Sequence, residues 1–351
     1  MQTVIEKIIE GEETQNQHKI ESAAKIIREG GLVAFPTETV YGLGADALNP
    51  AASARIYKAK GRPSDNPLIV HIADMDDLDK IVVCVPAGAR KLAKRFWPGP
   101  LTMIFEKRGI VPGETTGGLD TVAVRMPDHP VAQALIRAAG GYIAAPSANS
   151  SGRPSPTLAE HVASDLDGRI PMILDGGAVG IGLESTIVDF SEEIPMVLRP
   201  GYITPDMIQN EIGELRMDPG LVEEDSTIRP KAPGMKYKHY APKAELILVN
   251  GAQKKVQQTI NNLTREAIES GKTAGVIGTD ESYGGYRYGI VKSIGTRSDE
   301  DTIARHLYRI LREFDQQNVD IIYSESFSTP RIGQAIMNRM LKAAGRQVIE
   351  V

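Results

Sequence analysis

The chain has 351 residues, of which 41% are hydrophobic and 24% are charged, and its formal net charge at pH 7 is −5. This length allows one large buried core and also a second one. The acidic balance argues against a protein whose main role is to bind nucleic acid through a basic surface. No apolar stretch approaches the roughly 20 residues that a membrane-spanning helix needs. Residues 1–19 lack the apolar centre of a signal peptide, so we expect a soluble protein without a membrane contact.

The only cysteine, Cys84, lies in the apolar run 81–85. We therefore expect a small buried side chain there rather than a nucleophile. A single cysteine provides no disulfide framework, which fits a protein of the reducing cytoplasm.

Apolar spacing, prolines and glycines predict alternating helices and strands along the first 213 residues. The predicted helices cover residues 20–29, 50–60, 86–96, 129–139, 158–167 and 204–212. The predicted strands cover residues 32–35, 68–73, 101–105, 121–127, 142–145, 172–175, 185–190 and 195–201, and we expect the last two to pair. Arg125 and Arg199 lie at the ends of two of these strands, each followed within two residues by a proline that stops the hydrogen-bond ladder.

Two segments imitate known ligand motifs without their context. Gly42, Gly44 and Ala47 have the spacing of a dinucleotide-binding loop, but the proline at position 50 prevents a helix from opening directly there. The acidic run 74–79 lacks the glycine and closing glutamate of a calcium loop. We therefore do not expect a dinucleotide site at the glycines. The acidic run indicates the start of a solvated helix rather than a metal site.

Two loops, residues 60–68 and 145–155, combine prolines with many charged and polar side chains that could bind a ligand. Each proline restricts the residue before it to extended conformations, so the loops can hold side chains with little ordering cost. Lys60 and Arg62 in the first loop offer a point charge and a planar fork for phosphate oxygens. Because both loops adjoin predicted strand ends, we expect one shared pocket for an anionic ligand.

The composition changes over residues 214–244, where few residues are apolar and prolines, lysines and tyrosines alternate. Such a stretch is typical of a linker, but Tyr237 could stack on a base or cover a pocket. From residue 245 the alternation restarts and predicts strands at 245–249, 273–277, 288–294 and 320–324, with helices at 253–270, 299–316 and 332–344. This pattern predicts a smaller three-layer domain with a mainly parallel sheet.

Several ordered motifs resemble the YrdC family, the threonylcarbamoyl-AMP synthases. They are the segment 36–43, the pair Lys60 and Arg62 with residues 66–68, the pair Ser147 and Asn149, and the strand start 182–186. The linker segment 236–242 and the second domain make the chain similar to the long, two-domain form of the family.

The resemblance implies an α/β fold with an N-terminal YrdC-like twisted mixed open sheet and flanking helices. A linker would join it to a smaller Rossmann-like three-layer α/β domain. The implied bounds are 1–213 for the catalytic domain, 214–244 for a linker that folds over the active site, and 245–351 for the C-terminal domain.

The resemblance also implies two groups of site residues, with Lys60 and Arg62 as the catalytic cations. The ATP group is Lys60, Arg62, Asn66, Thr121, Ser147, Asn149, Ser155, Arg199 and Tyr237. The threonine group is Thr39, His71, Arg125, Ser185 and, through its backbone, Ala145.

The activity that the resemblance implies is condensation of L-threonine, bicarbonate or carbon dioxide, and ATP into threonylcarbamoyl-AMP and pyrophosphate. The product would serve N6-threonylcarbamoyladenosine formation at position 37 of tRNAs that read ANN codons. The implied cofactor is Mg²⁺ held through the ATP phosphates, without a protein ligand. The implied partners are the proteins of the downstream transferase complex, with a possible transient tRNA contact.

Two other functions stay open at this point. One is an RNA-binding module that uses the basic helix near Lys91 and the stretch 231–238. The other is a different ATP-dependent adenylate-forming or carbamoyl-transfer enzyme on the same scaffold. Pyrophosphate release that requires both threonine and bicarbonate would separate the proposed reaction from both.

Overall fold

The computed structural model describes residues 2–221, 231, 239–327 and 331–351. The described chain divides into two compact units. The first comprises Met1–Ser151, Ser155–Gly180 and Glu184–Lys236, and the second comprises Gly152–Pro154, Ile181–Leu183 and Tyr237–Val351. The predicted linker with Tyr237 falls for the most part on residues 222–230 and 232–238, which lie outside the described residues.

The described part of the first unit forms one eleven-stranded mixed sheet with the strand order β1-β8-β2-β3-β7-β4-β6-β5-β9-β10-β11. The strands are β1 (Val4–Lys7), β2 (Val33–Phe35), β3 (Gly42–Asp46), β4 (Ile69–His71), β5 (Leu101–Glu106), β6 (Thr121–Arg125), β7 (Ile143–Ala144), β8 (Met172–Asp175), β9 (Thr186–Asp189), β10 (Met196–Arg199) and β11 (Arg216–Met217). The helices are α1 (Glu13–Arg28), α2 (Pro50–Lys60), α3 (Met75–Ile81), α4 (Ala87–Phe96), α5 (Pro130–Ala138), α6 (Ala159–Leu166) and α7 (Pro205–Ile212).

Hydrophobic clusters lie on both faces of this sheet. Val33 and Phe35 of β2 belong to a cluster with α1 and α5, whereas Ala34 between them belongs to a larger cluster that includes residues of α2, α4 and α6. Successive residues of a strand point to opposite faces, so the two clusters lie on opposite sides of the sheet. The predicted open mixed sheet with flanking helices is confirmed.

The sheet brings two strand ends of the predicted site side by side. β4 and β6 are parallel neighbours, and their register sets His71 directly opposite Arg125. Both residues are the last of their strands. Side chains at such strand ends can reach the loops beyond the sheet, which is where polar residues can meet a ligand without interrupting the hydrogen-bond ladder.

The second unit has a five-stranded parallel sheet with the order β14-β13-β15-β12-β16 within its described residues. Its strands are β12 (Glu245–Asn250), β13 (Ala274–Gly278), β14 (Ile290–Ser293), β15 (Ile321–Glu325) and β16 (Val348–Glu350), and its helices are α8 (Gln253–Glu269), α9 (Glu300–Gln316) and α10 (Gly333–Ala343). The predicted small parallel α/β domain is confirmed.

Some local predictions were wrong or incomplete. Cys84 is exposed rather than buried, because the apolar run 81–85 lies mostly in the connection between α3 and α4 and not in a strand of the core. The edge strands β1 and β16 were not predicted, and α1 begins seven residues earlier than expected. The segment with Gly42 and Gly44 forms the antiparallel strand β3, which confirms that it is not a dinucleotide loop.

No helix in the described ranges is long and apolar enough to cross a membrane.

Candidate active site

The loop between β2 and β3, residues 36–41, is folded around one threonine hydroxyl. Thr37 Oγ1 accepts hydrogen bonds from the backbone N–H groups of Thr39 and Val40 at 3.2 and 3.3 Å and donates to the carbonyl oxygen of Val40 at 2.6 Å. The hydroxyls of Thr37 and Thr39 are 2.9 Å apart. These bonds satisfy the buried polar groups of a tight turn and fix the position of Thr39.

Arg125 joins this loop to the sheet. Its Nη1 donates to Thr39 Oγ1 at 2.8 Å, and its Nη2 lies 2.7 Å from Glu38 Oε1 in an ion pair. Only 4% of Arg125 is exposed, so its charge is removed from solvent. A buried guanidinium is suited to bind a carboxylate, and here Glu38 supplies one from the protein itself while Thr39 adds a hydroxyl.

His71, opposite Arg125 in the sheet, is held in its neutral form. Burial, followed by the repulsion of the Arg125 charge, lowers the pKa of His71 to about 3. Its Nδ1 lies 3.1 Å from the carbonyl oxygen of Ile69, so Nδ1 carries the proton. The same oxygen accepts a hydrogen bond from the backbone N–H of Ala145 at 2.8 Å. His71 and Ala145 therefore share one backbone anchor.

Lys60 ties the end of α2 to the loop after β7. Gly61 ends α2 in the left-handed region with φ 62°, a conformation that favours glycine. The Nζ atom of Lys60 donates to the carbonyl oxygens of Ser147 and Asn149. Ser147 Oγ in turn donates to Asn149 Oδ1 at 2.5 Å. Lys60 is only 3% exposed, so these contacts hold a positive charge inside the protein next to the loop after β7.

Arg62 and Asn66 form a closed loop, as the two prolines predict. Arg62 Nη2 donates to Asn66 Oδ1 at 2.6 Å and to the carbonyl oxygen of Pro67 at 3.2 Å, and Arg62 Nε donates to the Asn66 carbonyl oxygen at 3.2 Å. The guanidinium is therefore oriented before any ligand arrives. Such preorganisation lowers the entropy cost of binding.

The start of β9 and the end of β10 contribute another pair. Arg199 Nε donates to the carbonyl oxygen of Ser185 at 3.0 Å, and its Nη2 lies 3.2 Å from Ser185 Oγ. Ser185 Oγ is also 2.7 Å from Thr102 Oγ1, and Thr102 lies opposite Arg125 in the sheet. Thr102 thus connects Ser185 and Arg199 with Arg125.

Contacts between the predicted residues link most of them into two connected groups. Thr39, His71, Arg125, Ala145, Ser185 and Arg199 form the first through the bonds above, and Lys60, Ser147 and Asn149 form the second. The loop 145–149 belongs to both groups. The backbone N–H of Leu43 donates a hydrogen bond to the carbonyl oxygen of Pro146 in this loop at 2.8 Å. The predicted threonine and phosphate groups are therefore adjacent.

Five predicted residues stand apart from these groups, of which Arg62 and Asn66 bond to each other as described above. Thr121 begins β6, so it is about 13 Å along the strand from Arg125. Ser155 donates to Glu184 Oε1 at 2.5 Å. Tyr237 lies outside the described residues.

Three residues of the site carried no predicted role, namely Glu38, Thr102 and Glu184. Thr102 is internal to a strand and has no sequence signal, because only its register with Arg125 gives it a partner. Glu38 has a weak signal, since it is a carboxylate between two threonines in a short loop that follows a proline.

Fold and site together define an α/β protein with buried arginines at the ends of β6 and β10 and buried hydroxyl side chains beside them. Family comparison extends this. The family Sua5_yciO_yrdC, described as telomere recombination, matches residues 25–201, and the threonylcarbamoyl-AMP synthase C-terminal domain matches residues 203–345.

Whole-length relatives carry the same two domains. The chain is 52% identical over 335 residues to the threonylcarbamoyl-AMP synthase of Bacillus subtilis, with 95% of each chain covered. It is 50% identical over 344 residues to that of Pyrococcus abyssi, with 98% of this chain and 99% of the relative covered. The crystal structure of Pyrococcus abyssi Sua5 complexed with L-threonine superposes with a TM-score of 0.93 at 48% identity, covering 99% of this chain and all of the other. The chain therefore belongs to the threonylcarbamoyl-AMP synthase family of enzymes.

Proposed function

We propose that this enzyme condenses L-threonine, bicarbonate or carbon dioxide, and ATP into threonylcarbamoyl-AMP and pyrophosphate. The observation that supports this best is the adjacency of two buried groups, Thr39, His71 and Arg125 on one side and Lys60 with its loop on the other. An amino acid on the first group would lie beside a phosphate chain on the second. A relative with 48% identity was crystallised as a complex with L-threonine.

In this proposal Arg125 receives the carboxylate of threonine, and Thr39, His71, Ser185 and the Ala145 backbone surround the rest of it. Neutral His71 donates through Nδ1 to Ile69, so its ring is fixed beside the amino acid without adding charge. The nucleotide would occupy the surroundings of Lys60 and Arg62. The other proposed nucleotide contacts are Asn66, Thr121, Ser147, Asn149, Ser155 and Arg199, with Tyr237 outside the described residues.

The reaction has two bond-forming steps. The lone pair of the neutral threonine amine attacks the carbon of carbon dioxide, and the nitrogen then gives one proton to water to leave the carbamate. With bicarbonate the carbon–hydroxyl bond breaks instead, and the leaving hydroxide takes the nitrogen proton to form water. A carbamate oxygen then attacks the α-phosphorus of ATP, and the bond from that phosphorus to the bridging oxygen breaks as pyrophosphate leaves. No step needs a covalent enzyme intermediate.

The chain's contribution would be alignment and charge stabilisation. Effective molarity from holding the reactants together can supply about 7–11 kcal/mol. Lys60, Arg62 and Arg199 would stabilise the negative charge that develops on the departing pyrophosphate. Among the described residues no group of three or more His, Cys, Asp or Glu side chains could hold a metal ion, and we assign the Mg²⁺ that accompanies ATP to phosphate oxygens and water.

The labile product would pass to a transferase complex that completes N6-threonylcarbamoyladenosine at position 37 of tRNAs that read ANN codons. We place this reaction in the cytoplasm, and any tRNA contact of the chain itself would be transient. These partners follow from the proposed product.

The decisive test is release of pyrophosphate from ATP by the purified full chain. We expect release to require both L-threonine and bicarbonate, with threonylcarbamoyl-AMP found by mass spectrometry. Release with another amino acid, or without bicarbonate, would favour a different adenylate-forming enzyme. Absence of any release together with salt-dependent RNA binding would favour the RNA-binding alternative.

A further inference from the structure

Glu38 is a buried carboxylate whose oxygens are not fully used by the protein. The side chain is 13% exposed, and neither of its buried oxygen atoms makes a hydrogen bond within the described structure. Its contact with Arg125 Nη2 at 2.7 Å is an ion pair, and that Nη2 atom also has no hydrogen-bond partner there. Burying a polar atom without a hydrogen bond destabilises a protein, and a charged atom does so more than a neutral one.

A fourth such atom belongs to the same neighbourhood. His129 Nδ1 is buried and makes no hydrogen bond in the described part of the chain. Gly176 packs against Pro36 and His129, since a Cβ at position 176 would lie 2.7 Å from Pro36 Cγ and 3.4 Å from His129 Cε1. His129 therefore lies beside the loop that carries Glu38. Burial lowers the pKa of His129, while the charge of Glu38 opposes that shift, so the ring is neutral at pH 7.

Glu38 and Arg125 place a negative and a positive group side by side, and neither the Glu38 oxygens nor Arg125 Nη2 makes a hydrogen bond among the described residues. A free α-amino acid carries the complementary charges, because its ammonium and carboxylate groups are attached to the same carbon. We propose that Glu38 receives the α-ammonium group of the substrate while Arg125 receives its α-carboxylate. This inference rests on the proposed function, because it names the part of the threonine molecule that Glu38 recognises.

The arrangement explains how the site stays stable without ligand. In its absence, Glu38 and Arg125 neutralise each other as an imperfectly aligned ion pair. A zwitterionic amino acid replaces that one pair with two charge-assisted contacts, whereas a hydroxy acid satisfies Arg125 but leaves Glu38 facing a hydroxyl group. Glu38 would therefore be a specificity-determining residue for amines.

The test compares two ligands on the full chain. L-Threonine carries the ammonium group, and (2S,3R)-2,3-dihydroxybutanoate has a hydroxyl in its place with the carboxylate retained. Their dissociation constants are measured by calorimetry for the wild type and for Glu38→Gln. Glu29→Gln serves as the matched control, because that side chain is 66% exposed and the variant loses the same charge.

We expect the wild type and Glu29→Gln to prefer threonine by roughly 10- to 100-fold, the strength of one charge-assisted hydrogen bond. Glu38→Gln should lose most of that preference through weaker threonine binding. Its affinity for the hydroxy acid should be unchanged or higher, because Arg125 no longer has a competing carboxylate. Damage to the fold of the variant would instead lower its affinity for both ligands.

Three outcomes would overturn the inference. An unchanged preference in a Glu38→Gln protein that unfolds at the wild-type midpoint, or an equal loss of affinity for both ligands in that folded protein, would show that Glu38 does not meet the ammonium group. Equal binding of both ligands by the wild type would do so even if the variant failed to fold. If the wild type bound no threonine at all, the proposed function itself would fail, and the inference with it.

Discussion

Two buried carboxylates, Glu38 in the first unit and Glu325 in the second, have opposite hydrogen-bond surroundings. Glu325 is 1% exposed and accepts hydrogen bonds from Tyr286 Oη at 2.5 Å, Arg297 Nη2 at 2.5 Å and Gln253 Nε2 at 3.3 Å. Glu38 accepts none that the described structure contains. Burial and the neighbouring Glu325 charge raise the pKa of Tyr286, so its hydroxyl remains a donor.

This difference in hydrogen-bond partners distinguishes Glu325, a carboxylate that stabilises the fold, from Glu38, a carboxylate that we propose binds a ligand. Glu325 is the last residue of β15, the central strand of a parallel sheet, and ligands often bind at the carboxyl ends of such strands in α/β proteins. Its oxygens are nevertheless used by its own unit, so it stabilises that unit. Glu38 leaves its oxygens for a ligand. Position in the fold alone would have suggested the wrong one of the two.

The largest effect should follow from removing the site cations. Lys60→Ala and Arg62→Ala should each lower the rate of pyrophosphate release by roughly 100- to 1,000-fold, as when one charge-stabilising group is removed from an active site. Lys58→Ala, an exposed lysine on the same helix, should keep the wild-type rate. Wild-type turnover in either site variant would contradict the assignment of these cations to the reaction.

The next largest effect concerns the contribution of Glu325 to the free energy of unfolding. Glu325→Gln should lower the free energy of unfolding by about 3 kcal/mol, because one partner of a buried charged network is lost. Chemical denaturation measures this, with the exposed Glu269→Gln as control. Threonine affinity of the folded variant should not change. If it fell as far as in Glu38→Gln, the proposed separation of roles between the two carboxylates would be wrong.

The buried histidine of the site should make stability depend on pH. The pKa of His71 is about 3 in the folded protein against about 6.5 when unfolded. Its contribution is therefore fully present above pH 6.5 and is lost as the pH falls toward 3, at about 1.4 kcal/mol per pH unit. His71→Asn should reduce this slope. Equal slopes in the wild type and the variant, measured by denaturation from pH 7 to pH 4, would contradict the burial of His71.

The smallest effect tests a single donor to Glu325. Tyr286→Phe removes one hydroxyl while Arg297 and Gln253 still bond the carboxylate, so we expect a loss of about 1–2 kcal/mol in the free energy of unfolding. Tyr283→Phe, at a tyrosine that is 48% exposed in the same unit, is the control. A loss as large as that of Glu325→Gln would mean that the tyrosine alone carries the network.

The site was predictable where chemistry is local. Lys60, Arg62 and Asn66 share a short loop with two prolines, and their bonds stay within a few residues or reach one neighbouring loop. The resemblance to the family grouped Thr39 with Arg125. Glu38 was not predictable as a partner of Arg125, because it lies more than 80 residues away in the sequence and meets Arg125 only through the order of the strands.

The sequence by itself determined the alternation of helices and strands, the bounds of α2, and the positions of Arg125 and Arg199 at strand ends. Hydrophobic periodicity, prolines and glycines determine local backbone structure over a few residues, so helices and strands can be predicted from them without the tertiary structure. Only the tertiary structure decided that Cys84 is exposed, that Thr102 connects Ser185 with Arg125, and that Glu38 and Glu325 differ. Burial and hydrogen-bond partners depend on strand register and packing between distant segments, which no local pattern encodes.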